Sequence, residues 1–137
     1  MAKRRTPSRS GGPCPCGLPA TYDECCGRLH RGEAQAKTAE ELMRSRYSAF
    51  VVQDGAYLLK SWHPATRPQS VDVENDLRWD RLEILGASEG SPFHTKGTVE
   101  FRAHYTQGGR KGLLHERSDF VRHEGAWVYV KGTHPSP

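Results

Sequence analysis

Apolar side chains recur with two different periods along this chain, a helical period first and an alternating one later. Over residues 38–54 they fall on one face of a helix, because apolar positions three and four residues apart lie together on a helix. Thr38 and Glu41 form the capping box that predicts the start of this helix, and Asp54-Gly55 predicts its end. The predicted apolar face consists of Leu42, Met43, Tyr47, Phe50 and Val51.

The rest of the chain is predicted to form one short helix and four strands. The helix covers residues 56–62 and ends at His63, because a residue before proline avoids the helical region. From residue 77 the apolar period changes to two. Helices that precede an antiparallel meander indicate an α+β domain. The predicted strands are residues 79–87, 98–106, 113–123 and 126–131, with hairpin turns at Gly108-Gly109 and Glu124-Gly125.

Composition and length restrict the class of protein. The chain has 137 residues, of which 35% are hydrophobic, which suits one globular domain with a proper core. No apolar run approaches the roughly 18 residues of a membrane helix, and no apolar stretch follows the basic N-terminus as in a signal peptide. We therefore expect a cytoplasmic protein with no membrane partner.

The net charge of +4 is concentrated at the N-terminus. Residues 1–13 carry four of the 20 Lys and Arg residues and no acid, so the remaining 16 bases equal the 16 acids of the body. A basic tail of this kind can lie along a phosphate backbone, or it can be disordered with no partner. The candidate phosphate contacts are Lys3, Arg4, Arg5 and Arg9.

All four cysteines of the chain, Cys14, Cys16, Cys25 and Cys26, lie within 13 residues. Because cytosolic thiols stay reduced, this cluster indicates a metal site. Four thiolates complete the closed tetrahedral site of a structural zinc ion, with no open position for a catalytic water. Disulfide or redox chemistry and inert thiols remain as alternatives, although a bridge between the adjacent Cys25 and Cys26 would have poor geometry.

The cysteine spacing resembles the SEC-C motif, named for the C-terminal zinc element of the SecA translocase. Residues 14–27 read Cys-Pro-Cys-Gly and end in Cys-Cys-Gly, with eight residues between the cysteine pairs. Usual members have Ser-Gly after the first glycine and lysines before the final pair. This chain departs from that pattern with Leu18 and Pro19, and with Asp23 and Glu24.

Four further blocks extend the resemblance to the bacterial YchJ family. They are residues 42–50, 57–64, 116–120 and 127–132, in that order. The resemblance implies a fold like that of nuclear transport factor 2 (NTF2), a cone in which helices cover a curved antiparallel sheet and leave a pocket. We therefore predict a basic tail (1–13), a SEC-C zinc element (14–27), a connector (28–37) and an NTF2-like α+β domain (38–134).

Glu116 is an acid on an apolar strand face, which it shares with Leu114, Ser118 and Phe120. A buried carboxylate is costly unless it is paired. Arg46, beside the apolar stripe of the long helix, is the predicted ion-pair partner. A pocket acid with a catalytic or ligand-binding role and a mistaken strand phase are the alternatives.

Other candidates surround the expected pocket. His63 would lie at its mouth, where a histidine and a carboxylate can exchange protons at neutral pH, and a histidine locked by the following proline is the alternative. The aromatic side chains either line a ligand cavity or fill the core. The candidate pocket residues are Arg46, Tyr47, Trp62, His63, Trp79, Tyr105, Glu116 and Trp127.

The closed metal site, together with the lack of a complete nucleophile or open-metal arrangement, favours binding over catalysis. We expect a zinc-containing cytoplasmic binding or adaptor protein whose partner is a protein or a nucleic acid, contacted through the zinc element and the tail. The alternative is a small-molecule binder or an acid/base enzyme that uses the cone, by analogy with other proteins of this fold.

Overall fold

The computed structural model describes residues 12–73 and 76–135. Within these residues, three helices come first and one antiparallel sheet follows, with its four strands in sequence order, so the α+β prediction is confirmed. No helix of the described residues is both long and apolar enough to span a membrane. The elements are α1 (Cys26–His30), α2 (Ala39–Val52), α3 (Gly55–Lys60), β1 (Leu77–Glu89), β2 (Lys96–Gln107), β3 (Arg110–His123) and β4 (Ala126–Thr133).

Helix α2 begins at the predicted capping box. Thr38 Oγ1 accepts a hydrogen bond from the Glu41 amide at 3.0 Å, and the Glu41 carboxylate accepts one from the Lys37 amide at 2.7 Å. In a standard capping box the glutamate would accept from the amide of the N-cap residue, Thr38. Here it accepts from the amide of the preceding residue, Lys37. The helix ends at Val52, and Gln53 follows in the left-handed conformation with φ 62°.

Asp54 and Gly55, predicted to end the long helix, instead begin the next one. Asp54 Oδ1 accepts a hydrogen bond from the Tyr57 amide at 3.0 Å, which caps α3 at its N-terminus. The prediction of a second helix over 56–62 is therefore correct in type and displaced in its bounds. Trp62 lies beyond α3, in a bridge to Tyr129 of β4.

The sheet is an antiparallel meander with tight turns and bulges. Both hairpins predicted from glycine-containing turns are present, and positive φ at Gly108, Gly109, Glu124 and Gly125 matches the turn geometry that suits twisted strands. Strand β1 shifts register against β2 at two places, and β4 shifts once against β3. Because bulges bend strands, these shifts curve the sheet around α2.

The core lies between α2 and the sheet. The predicted apolar face of α2 accounts only for the side of the helix that packs on the sheet. Ser45, Ser48 and Ala49, on other sides of α2, are fully buried as well. Small side chains there allow α1, α3 and the cysteine segment to pack closely against the helix. The main core cluster is Ala39, Leu42, Met43, Tyr47, Val99, Phe101, Ala103, Phe120 and Trp127.

His30 connects the cysteine segment to α2 through part-buried hydrogen bonds, and its ring packs on Tyr57 of α3. Its Nε2 lies 2.8 Å from the Ser45 carbonyl oxygen, which can only accept, so Nε2 carries the proton. Nδ1 must then accept from the Tyr22 hydroxyl at 2.6 Å. The Ser45 hydroxyl lies 2.7 Å from that of Tyr57. Burial lowers the pKa of His30, which keeps this ring neutral.

We expect His30 to add to the acid sensitivity of the fold. The unfolded chain binds a proton first as pH falls, because the pKa of His30 is lowered only in the folded state. The stabilisation is complete above the ordinary histidine pKa of about 6.5 and is lost progressively below it. The free energy of unfolding should therefore decrease more between about pH 7.5 and about pH 5.5 in the native chain than in His30→Gln.

Denaturant unfolding of both proteins at the two pH values measures this difference. Thiol protonation affects both proteins alike, so it cancels in the comparison. Equal losses in the two proteins would contradict a neutral buried His30.

Candidate functional site

Two short turns bring the four cysteines together. Cys14 and Cys16 lie in a tight turn in which the Gly17 amide donates to the Cys14 carbonyl oxygen at 3.2 Å. Gly17 has φ 93°, a left-handed conformation that glycine adopts without strain. Cys25 and Cys26 lie at the start of α1, so this helix begins inside the predicted zinc element and extends into the predicted connector.

The sulfur positions fit a single metal ion. All four Sγ atoms lie within 4.8 Å of one another, and those of Cys16 and Cys25 are 3.6 Å apart. Tetrahedral zinc with sulfurs at about 2.3 Å requires sulfur–sulfur separations of about 3.8 Å, whereas a disulfide requires about 2.05 Å. All four thiols are free. The predicted ligand set therefore forms one compact thiol cluster with the dimensions of a metal site.

Electrostatics within the cluster favour a bound cation. The thiols of Cys16 and Cys26 donate to Cys14, and this lowers the pKa of Cys14. Donation of its proton to Cys14 raises the pKa of Cys26, and burial raises that of Cys25 to about 12. Several thiolates cannot coexist in so small a volume without a positive charge. A divalent ion would supply that charge and displace the protons.

Helix α2 anchors the cysteine turn through two side chains that sequence reasoning missed. Arg44 Nη1 donates to the Cys16 carbonyl oxygen at 2.7 Å, and Ser48 Oγ lies 3.7 Å from Cys14 Sγ. Hydrogen bonds from residues that surround the ligands fix the orientation of metal ligands. Ser48 was identifiable only as a polar residue in an apolar stretch, and nothing in the sequence linked it to the cysteines.

A cavity of about 180 Å³ lies between α2 and the sheet. Its walls are mainly apolar and aromatic, with one arginine and one glutamate among them. An engineered cavity of about 150 Å³ admits benzene, so this one has room for a single ring or a short branched chain. The lining residues are Met43, Arg46, Tyr47, Phe50, Trp62, Trp79, Phe101, Ala103, Leu114, Glu116, Ser118 and Tyr129.

Five of the eight predicted pocket residues line this cavity, and whether it is a functional site remains a prediction. His63 lies outside it, with Nδ1 accepting from the Ala65 amide at 2.9 Å, as in a capping histidine. Trp127 is a core residue whose Nε1 donates to the Lys37 carbonyl oxygen. Tyr105 packs on Trp79 and over Gly112. His63 and Glu116 therefore do not share the cavity.

The predicted ion pair between Arg46 and Glu116 does not form. Arg46 is 4% exposed, and its Nη1 donates to the Leu58 carbonyl oxygen at 2.9 Å and to Ser61 Oγ at 2.6 Å. Its guanidinium carbon lies 4.9 Å from the centre of the Trp62 ring and 4.5 Å from that of Tyr129. The sequence could not reveal these contacts, because they come from the end of α3 and from β4.

Glu116 lies on the inward strand face, as expected, but has other partners. Its carboxylate accepts from Ser118 Oγ at 3.0 Å, and a Cβ atom on Gly132 would overlap it. Burial, followed by the charge of Glu116, raises the pKa of Tyr129 to about 12. Tyr129 lies two residues after Trp127 on β4 and therefore shares its strand face. The alternation of side chains along the strand could have predicted that Tyr129 points inward.

The tail contacts proposed from charge involve Lys3, Arg4, Arg5 and Arg9, which lie outside the described residues. The proposed phosphate contacts therefore stay a prediction.

Comparison with known sequences relates the chain to bacterial UPF0225 proteins. The family described as "YchJ, middle NTF2-like domain" matches residues 38–132. A UPF0225 protein of Streptomyces avermitilis is 61% identical over 119 residues, which cover 87% of this chain and 82% of that protein. The corresponding protein of Streptomyces coelicolor is 58% identical, covering 88% and 94% of the two chains.

Two solved structures share the fold and the cysteine motif. A SEC-C motif containing protein from Rhodopseudomonas palustris, determined in solution, superposes with a TM-score of 0.80 at 35% identity, covering 90% of this chain and 98% of that one. A crystal structure of a SEC-C motif containing protein from Psychrobacter arcticus gives 0.76 at 27% identity, covering 94% and 86%. With its cysteine cluster beside an NTF2-like sheet and helices, this chain belongs to the YchJ (UPF0225) family.

Proposed function

We propose that this chain is a zinc-stabilised protein that binds a small molecule in the cavity between α2 and the sheet. The observation that carries the proposal is the cavity itself. Protein cores are packed almost without voids, so a space of about 180 Å³ bounded mainly by apolar side chains is an exception that a ligand would fill. A mostly apolar cavity lined by a few polar groups is the usual form of a ligand site.

Ring-sized probes test the cavity directly. We expect benzyl alcohol and benzoate, titrated separately into labelled protein, to shift the indole N–H resonances of Trp62 and Trp79, because both indoles line the cavity. Trp127 serves as an internal control, since it does not line this cavity and its Nε1 is bonded to a carbonyl oxygen. Saturable shifts confined to Trp62 and Trp79 support the proposal.

A cavity-filling variant supplies the matched protein control. Ala103 lies on β2 and lines the cavity, so Ala103→Leu places extra methyl groups inside it. We expect this variant to keep its fold, because the added side chain occupies a void, and to lose probe binding at least tenfold. Unchanged binding, or shifts of all three indoles together, would reject the cavity as the binding site.

The zinc centre has a structural role in this proposal. Cys14, Cys16, Cys25 and Cys26 provide four sulfur ligands, which leave no open coordination position. Three of them are at most 4% exposed, so an ion held there is shielded from substrates. The cytoplasm, which we propose as the compartment, keeps the thiols reduced and available for the metal.

Metal analysis checks the identity and the role of the ion. We expect purified protein to contain about one zinc per chain, and Cys25→Ser or a strong chelator to remove it and lower the Tm by several degrees. Ser48→Ala is the matched control, because it changes a contact to Cys14 but no ligand, and it should retain zinc. A zinc content well below one per chain, with unreactive thiols, would overturn the site.

A second candidate function is an adaptor that binds a nucleic acid or a protein. The observation that favours it is the clustering of four bases and no acid in residues 1–13. Such a segment binds phosphate backbones through its charge alone.

Salt dependence separates this adaptor function from the alternatives. Binding to a labelled RNA or DNA of about 20 nucleotides should weaken with salt, and neutralising Lys3, Arg4, Arg5 and Arg9 to Gln should reduce the slope of log K against log salt by about 3 to 4. Mutating four bases of the folded body is the matched control and should have a smaller effect. Absent binding, or a slope unchanged by neutralisation, would reject the nucleic-acid version.

A further inference from the structure

The Arg46 guanidinium holds a buried positive charge with unused hydrogen-bond donors. Both of its hydrogen bonds are donated by Nη1, to a backbone carbonyl and to a serine hydroxyl. The Nε and Nη2 groups, with three N–H bonds between them, donate to no described residue. No ion pair of the described residues includes Arg46, and the charge of Glu116 in the same cavity acts on it only from beyond ion-pair distance. Burying a charge without a contacting counter-charge is costly. The stacked rings of Trp62 and Tyr129 offset only part of that cost.

A second unused donor lies beside the first. Trp62 Nε1 is buried and has no hydrogen-bond partner among the described residues, and the Trp62 ring contacts the Arg46 guanidinium. Buried indole N–H groups usually find an acceptor. Both side chains line the same cavity, so its Arg46 end holds donors that no described acceptor uses.

The acidic side chain of the cavity, by contrast, already has donors. Glu116 accepts from Ser118 Oγ, and the Tyr129 hydroxyl also hydrogen-bonds to it. A ligand that complements this cavity would therefore supply a negatively charged hydrogen-bond acceptor. Around it, the walls formed by Met43, Phe50, Trp79 and Leu114 suit an apolar body of about one ring.

We propose that the cavity selects small monocarboxylic acids, with the carboxylate held at the unused donors of Arg46 and the ring or branched chain against the apolar walls. A carboxylate matches the planar guanidinium fork, which can donate two parallel hydrogen bonds to it. The volume limits the remainder of the ligand to about the size of benzene. This inference rests on the proposed function of the cavity and adds the chemical class of its ligand.

Benzoate and benzyl alcohol form a matched pair of probes, because they share a ring and differ in charge. Benzoate should bind at least tenfold more tightly than benzyl alcohol, as expected for one charge-assisted bidentate contact. In the native protein, benzoate should also shift the Arg46 Nε–H resonance, and benzyl alcohol should leave it largely unchanged. This second measurement needs no variant.

Arg46→Met tests the charge, because methionine keeps a long apolar side chain at a buried position. We expect the variant to lose the preference for benzoate over benzyl alcohol, because the positive charge that favours the carboxylate is gone. Arg102→Met is the control: its guanidinium forms an ion pair with Glu83 outside the cavity, so it removes the same charge and should keep the preference.

The outcomes separate the two proposals. Equal affinity for the two probes, or no movement of the Arg46 signal with benzoate, overturns carboxylate selection while the cavity remains a binding site. Failure of both probes to bind overturns the proposed function itself. If Arg46→Met does not fold, the probe comparison and the Arg46 resonance of the native protein still decide the question.

Discussion

The burial of α2 on nearly all of its sides is the constraint on which the rest of this structure depends. One side of the helix packs on the sheet through its apolar residues, and the opposite side is covered by α1, α3 and the cysteine segment. Polar residues on such a helix must find partners inside the protein, since unpartnered buried polar groups are costly. The Ser45 hydroxyl donates to the Leu42 carbonyl oxygen and lies within hydrogen-bond distance of the Tyr57 hydroxyl. The Ser48 hydroxyl contacts the Cys14 sulfur.

The two candidate sites lie on opposite sides of this one helix. Arg44 and Ser48 face the thiol cluster, whereas Arg46, Tyr47 and Phe50 line the cavity. A metal ion bound by the cysteines would therefore hold the helix that forms one wall of the cavity. Under the proposed function, this arrangement would let a closed metal site support binding without placing the ion near a ligand. It also explains why a segment of 14 residues, too short for a core of its own, becomes part of the fold.

The secondary structure was predictable because it follows from local patterns. The alternation of β2, the turns at Gly108-Gly109 and Glu124-Gly125, and the cap at Thr38 all appear as expected. The error at Asp54 was also local: the same residue type that follows one helix can cap the next. Helix α1 was missed because its five residues lack a full period of apolar positions.

The sequence alone determined the class of fold, the family, the four-cysteine cluster and the inward position of Glu116. These features follow from the spacing of residues and from the alternation of apolar and polar positions, and both patterns can be seen among residues that are close together in the sequence. The tertiary structure decided which side chains share a space: it separated His63 from the cavity, replaced the expected Arg46–Glu116 ion pair with contacts to Ser61, Trp62 and Tyr129, and left donors of Arg46 unused. Such pairings join residues from helix ends and distant strands, and their geometry exists only after the chain has packed.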